Sequence, residues 1–213
     1  MILKGPGKNP FDGVDIAGVA IRRFDEDFYH CGLLYKVGDE PATLLHLSDN
    51  YKLLNEPPSD SYTWADIELH EADKKLLAVL ARRISEKQMP YGFDHAGISF
   101  DEISGDLNLP VGKGLTCATL IMFLLETKGF TLLRVAEWPA NANLTWQWKM
   151  LEHLKSISPQ HAAEVAKDVG ARRFTPTEVV GAATLRKWPV GWEDSRKVAK
   201  RIAKEVSKLT AAA

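Results

Sequence analysis

Between residues 14 and 48 apolar side chains recur at every second position or run together. DIAGVAIRRF (from Asp15), HCGLLYKV (from His30) and ATLLHLS (from Ala42) each read as a β-strand. GDEP, residues 38–41, has turn composition, so an antiparallel meander is predicted. The loop holding Asn55, Pro57, Pro58, Ser59 and Asp60 ends it. Over residues 71–87 the period changes to that of a helix, with Leu76, Leu77, Leu80 and Ile84 on the apolar side and Lys and Arg opposite. PYGFDHAGISFDEISGDLNLPVGKG, residues 90–114, is rich in Gly, Pro and Asp and keeps no period, so it reads as a long loop with at most one short element. Long ordered loops often carry function.

GKGLTC then leads into ATLIMFLLETK, a short helix apolar almost all round, with Gly129 at its C′ position. Such a helix is expected to be buried, with Thr116 or Cys117 at its N-terminus. FTLLRVAEW, from Phe130, is read as a further strand. Past Pro139 the pattern is helical, over residues 145–156 and 159–169. Thr175-Pro176-Thr177-Glu178 has the form of a capping box with Pro at N1. The last helix, residues 192–209, carries Val198, Ile202, Val206 and Leu209 on one stripe. An α+β chain follows, with an antiparallel sheet packed on helices over residues 1–138 and a helical extension over 139–213 that needs the first unit to cover its apolar faces.

Composition narrows the class. The 213 residues are 45% hydrophobic and 26% charged, which is globular. The longest strongly apolar run, residues 120–125, is too short to span a membrane. No apolar stretch follows Lys4 and Lys8, so no classical secretory signal is read there and a cytoplasmic location is the default expectation. Net charge is −1, and nucleic-acid binding is not expected. The one basic segment begins at Arg196 within the last helix, where Arg196, Lys197, Lys200, Arg201, Lys204 and Lys208 stand against Glu205 alone; its basic face is expected in solvent. Five of the six tryptophans (Trp138, Trp146, Trp148, Trp188 and Trp192) fall late in the chain and are expected to pack the C-terminal helices on the core.

Candidate chemistry centres on the two cysteines, Cys31 and Cys117. A thiol at a helix N-terminus feels the positive end of the macrodipole and unpaired amides, both favouring thiolate. That makes Cys117 a candidate nucleophile rather than only a small core residue. The glycines of GKG, Gly114 among them, are expected to let backbone approach a substrate and leave amides for an oxyanion. A nucleophile needs a base oriented by a third group. On the strand His30 and Gly32 face one way and Cys31 and Leu33 the other, so Cys31 is expected to be structural. Across the odd-length turn His46 and Ser48 share the face of His30, opposite or diagonal to it. His95 either lines the cleft or is a solvated loop residue, and His70 reads as surface. A zinc site built on Cys117, His30 and His46 is the metal alternative; neither metal nor cofactor is expected.

HCGLLYKVGDEPATLLHL, the helix after it, PYGF at Pro90 and TCATLIMFLLETKGF around Cys117 together resemble the circularly permuted papain-like cysteine hydrolases, the branch of the NlpC-type superfamily that includes YiiX-like and lecithin–retinol acyltransferase-like proteins. The likeness covers residues 14–135 and departs from the YiiX-like pattern at Gly92, Ala118 and Thr119. It implies a permuted papain-like fold with Cys117 as nucleophile, His30 as base and His46 as the polar third member. Tyr91 and Thr116, with Gly114, fall in the substrate and oxyanion neighbourhood. The implied reaction is hydrolysis of an amide in a peptide-like or acyl substrate by a cysteine peptidase or amidase. A thiol acyltransferase or lipid hydrolase, and a binding module on the same fold, remain open alternatives.

Overall fold

The alternating segments become a sheet whose two faces are both covered, which is why its inner strands read as nearly unbroken apolar runs. The computed structural model describes residues 2–5, 7–25 and 28–210, the last without its side chain; the terminal Ala211, Ala212 and Ala213 lie outside it. Among these residues the sheet has five strands: β1 (Ala17–Asp25), β2 (Phe28–Tyr35), β3 (Thr43–Asp49), β4 (Lys52–Glu56) and β5 (Thr63–Asp66). Their order is β4-β3-β2-β1-β5, with every neighbouring pair antiparallel. The meander is as the pattern predicts. The two edge strands flank the loop at Pro57, Pro58, Ser59 and Asp60 and are not predicted by the pattern, because edge strands are short and need no alternating face of their own.

One face of the sheet presents Val19, Ile21, Cys31, Leu33, Leu45 and Leu47 to the helices. The other buries Ala20, Leu34, Leu44 and Trp64 under Phe11 and Val14. The N-terminal segment is fastened there by reciprocal backbone bonds between Lys4 and Trp64, at 2.7 and 3.0 Å.

Six α-helices complete the described chain: α1 (Glu71–Ile84), α2 (Cys117–Thr127), α3 (Thr145–Ile157), α4 (Pro159–Val165), α5 (Pro176–Ala183) and α6 (Trp192–Thr210). In α1 the buried face is Leu77, Leu80, Ala81 and Ile84, while Leu76, expected on it, is exposed. Residues 118–125 of α2 are all buried. Its Thr116 cap is reciprocal, since Thr116 Oγ1 accepts from the Thr119 N–H and Thr119 Oγ1 from the Thr116 N–H. Gly129 follows at φ +82°, the left-handed value a C′ glycine supplies.

The long segment 90–114 contains one two-residue pairing, β6 (Ser99–Phe100) with β7 (Leu107–Asn108). FTLLRVAEW does not form the expected strand. Leu133 bridges Val190 alone, and a 3-10 turn, Val135–Glu137, follows. The partner segment offers no more, because Val190 sits between Pro189 and the start of α6. Helix α4 is shorter than its pattern, closing in a 3-10 turn at Ala166–Asp168. The α5 capping box forms, with Glu178 Oε2 accepting the Thr175 N–H at 2.8 Å.

Helices α3 to α6 do not bury a core of their own. Leu151, Leu154, Val179, Val180, Ile202 and Val206 share one cluster with Leu33, Leu45 and Leu120. A Cβ on Gly181 would lie 2.6 Å from Val198 Cγ1, so glycine there lets α5 and α6 cross closely. Helix α6 buries Val198, Ile202 and Val206 and leaves its six basic residues exposed. Its Glu205 accepts from the backbone N–H groups of Ile2 and Leu3, at 2.6 and 2.8 Å. No helix among the described residues is long and apolar enough to cross a membrane.

Candidate active site

Cys117 opens α2 directly after its Thr116 cap and lines a cavity of about 430 Å³ together with His30, Tyr91 and Thr116. As the first residue of the helix it holds a backbone N–H that no carbonyl within the helix can accept. Its thiol is held well below the usual cysteine range. The largest cause is hydrogen bonding from Cys31; the His30 ring adds a hydrogen bond and a favourable charge, and burial opposes both. The Cys31 backbone adds a smaller lowering. Cys31 itself is fully buried and pushed up, first by that burial and then by Cys117.

The strands make this meeting of two sheet faces possible. The pairing of β2 with β3 runs from Tyr35↔Thr43 to Leu33↔Leu45 and stops there, so residues 30–32 have no ladder partner in β3. Cys117 therefore contacts Cys31 and His30, which alternate in direction along β2. The expectation that Cys31 points away from His30 holds for the backbone. Its stronger form, that Cys31 has no bearing on the reactive thiol, is corrected by the contact with Cys117.

His30 and His46 share the second face and meet on a diagonal, with His30 Nε2 2.8 Å from His46 Nδ1. Gly32, between them, leaves the room they need: a Cβ there would lie 2.8 Å from His46 Cβ and 2.7 Å from the Leu45 carbonyl oxygen. His46 Nε2 in turn lies 3.2 Å from Glu56 Oε1. This chain of contacts sets the tautomers. A carboxylate only accepts, so His46 carries its proton on Nε2 and offers the Nδ1 lone pair; His30 then donates from Nε2 and keeps the Nδ1 lone pair for the thiol. His46 is held below the usual imidazole value by burial and then by the neighbouring His30, with Glu56 pulling the other way. It is neutral at neutral pH, as the wiring requires.

The other sequence candidates have distinct positions. Tyr91 is buried and lines the cavity, and burial pushes its phenol up, so it is a proton donor at neutral pH. Its backbone is fixed on both sides, by Asn50 Oδ1 at 2.9 Å and by the His161 Nε2–H at 2.7 Å. Thr116 spends its hydroxyl on the helix cap. Gly114 does not supply the free amide its GKG setting suggests, because its N–H bonds the Asp94 carbonyl at 3.1 Å. Its role is steric: the backbones at Gly92 and Gly114 touch, and a Cβ on either would overlap the other. Lys113 is also occupied, with Asp94 and Asp168. His70 is exposed; His95 lies edge-on to Phe174 outside the cavity lining.

Sequence reasoning missed Glu56, Arg173 and the Asp49–His153 pair at 2.9 Å, the last three residues all on the cavity. Glu56 had a findable signal, the parity of His46, once β4 is recognised. The rest are brought in by helix packing. No cluster of three or more His, Cys, Asp or Glu among the described residues is arranged to hold a metal ion.

The Cys31 contact carries an expected result. Cys31→Ala removes a thiol donor to the Cys117 thiolate, so the pH–rate profile of Cys117 alkylation should move to higher pH, with the rate on its alkaline plateau kept. An unmoved profile would mean that the Cys31 contact contributes nothing to thiolate formation.

Comparison with protein-family models, with curated proteins and with solved structures found no match.

Proposed function

We propose that this chain is a cysteine hydrolase of the permuted papain-like type, cleaving an amide bond through an acyl-enzyme with Cys117 as nucleophile, His30 as general base and acid, and His46 as the group that orients His30. The observation that carries this reading is the Cys117 thiol at the start of α2, on one cavity with His30 and held well below the usual cysteine range in part by the His30 ring, whose Nε2 lies 2.8 Å from His46 Nδ1. A histidine strand preceding a cysteine helix is the permuted order.

In the first half-reaction the Cys117 proton moves to His30 Nδ1 and the sulfur attacks the substrate carbonyl carbon. The displaced electron pair rests on the carbonyl oxygen, where the Cys117 N–H and the Tyr91 phenol are the available donors. The imidazolium, stabilised by the His46 Nδ1 lone pair, gives its proton to the leaving nitrogen as the C–N bond breaks, and a thioester remains. Water then loses a proton to His30 and attacks the thioester. The C–S bond breaks, and Cys117 leaves as thiolate with a carboxylic acid as product.

Intact-mass analysis with a panel of peptidyl and acyl electrophiles tests the reading. A single adduct on Cys117 is expected, forming fast below pH 8 and absent in Cys117→Ala, with Cys31 unmodified. Labelling of Cys117 no faster than that of an ordinary thiol, with its midpoint near the reference value of about 8.5, would overturn the proposal.

A further inference from the structure

We propose that the substrate carries a carboxylate alongside an apolar group, and that Arg173 binds it. The inference rests on the hydrolase reading of the same cavity. Arg173 lines that cavity with Cys117 and is half-buried, yet it has no ion pair and no hydrogen bond with any described residue. Its guanidinium carbon lies 4.5 Å from the centroid of the Trp146 ring, which holds the planar group in place without neutralising it. A cation removed from water without a counterion is costly, and an anion entering the cavity relieves that cost.

The surrounding charges leave that role open. Besides Tyr91 and Cys117 on the same cavity, Glu178 is the carboxylate whose charge Arg173 feels, but one of its oxygens accepts the Thr175 N–H in the α5 capping box. Asp49, across the cavity, is held by His153 and by the Asn50 N–H at 2.7 Å. Arg172, the adjacent residue, faces outward and bonds the Trp138 carbonyl at 2.8 Å, so its charge is not directed into the cavity.

The charge balance favours a carboxylate over a phosphate. A guanidinium fork can grip either, but a single guanidinium with no second cation beside it on the cavity among the described residues balances one negative charge rather than two. The α5 N-terminus that borders the cavity is capped by Thr175, has Pro176 without an N–H at its first position and carries the Glu178 carboxylate in its first turn, which offsets its positive end for a dianion. Phe24, Phe28, Trp146, Met150 and Phe174 give part of the same cavity an apolar lining. They fit the hydrocarbon part of an N-acylated amino acid or a short peptide.

The test compares alkylation of Cys117 by iodoacetate, an anion, with that by neutral iodoacetamide, on the full chain, read as adduct on the Cys117 peptide. Within each variant the iodoacetamide rate is the reference. Arg173→Gln should reduce the iodoacetate-to-iodoacetamide ratio by about tenfold, the effect of one hydrogen bond to a charged group. Arg173→Lys, which keeps the charge but loses the fork, should fall between, and Arg172→Gln should keep the wild-type ratio. N-acetylglycine should slow iodoacetamide labelling of the wild type more than N-acetylglycinamide or inorganic phosphate does, and lose that advantage in Arg173→Gln.

A ratio unchanged in a folded Arg173→Gln would overturn the inference, and stronger protection by phosphate would overturn its choice of anion. Failure of the hydrolase reading looks different: Cys117 would react slowly with both reagents. The ratio and the protection series remain readable at slow rates.

Discussion

His30→Ala is expected to lower amide hydrolysis by about 10²–10⁴-fold, the range for loss of a positioned general base and acid. The same ring hydrogen-bonds the thiol and adds a favourable charge to its thiolate, so alkylation of Cys117 at pH 6 should fall as well. In the proposed mechanism His46 acts through His30 and touches no reacting atom. His46→Ala should therefore lower kcat with little change in KM, and His46→Asn should recover part of the loss, because an amide oxygen can accept the His30 Nε2–H. A purely structural role would predict neither the split nor the rescue. Acid adds a second signature. Once His46 is protonated both its nitrogens carry hydrogens, its Nδ1 can no longer accept from His30, and the orientation is lost. Because burial and His30 depress the folded value, this residue's stabilising contribution is present above its unfolded value of about 6.5 and is lost as pH falls through the lower folded one. The acid limb of the kcat profile should be displaced in His46→Asn. Hydrolysis by His30→Ala at the wild-type rate would remove the catalytic assignment altogether.

Gly114→Ala is expected to destabilise the fold by about 3 kcal/mol, the upper part of the overpacking range, which for a chain of this length lowers Tm by about 6–12 °C. The added Cβ would lie 2.6 Å from Gly92 N, 2.6 Å from Tyr91 C and 2.7 Å from Pro90 O. These are all backbone atoms, so no side chain can swing aside. Relief would require parting the two segments that also bond through Gly92 N–H to Leu115 O and Leu115 N–H to Pro90 O. Those segments carry Tyr91 and the start of α2, so the variant should also lose Cys117 reactivity in the fraction that remains folded. Gly7→Ala is the control, with no atom within 4 Å of its Cβ and an expected change within about 0.5 kcal/mol. Scanning calorimetry separates the two outcomes, and an unchanged Tm for Gly114→Ala would contradict the close approach.

Local pattern alone carried the features that depend on neighbours in sequence. Alternation placed His30 and His46 on one face, and the odd-length turn kept them there. The apolar run after Cys117 required a buried helix, so Cys117 had to stand at a helix start, and the Thr175–Glu178 box marked α5. These are short-range consequences of strand parity, helix period and capping, and they hold whatever else the chain does. What periodicity cannot carry is any partner chosen across the fold. Strand β4 has weak alternation because it is an edge, and without its register Glu56 is just one acidic residue after a Leu-Leu-Asn. Leu76 satisfies the helical period of α1 and is exposed all the same, because the covered width of a helix is set by what packs on it.

The same limit explains the site. The end of the β2–β3 ladder at Leu33 lets Cys117 reach both Cys31 and His30, a contact that strict alternation forbids within one regular strand. Gly114 looks like an oxyanion loop in sequence, but the approach of Gly92 from 22 positions earlier makes it a packing glycine. Arg173 stands in a run of two arginines that differ in nothing local. Only the stacking on Trp146 of α3 and the docking of α5 against the sheet turn one of them into the cavity and the other outward. Strand parity and helix ends thus placed Cys117, His30 and His46 as candidates, whereas the position of Arg173 on the cavity was decided by tertiary packing, since burial and ionic partners depend on distances that the order of residues along a chain does not contain.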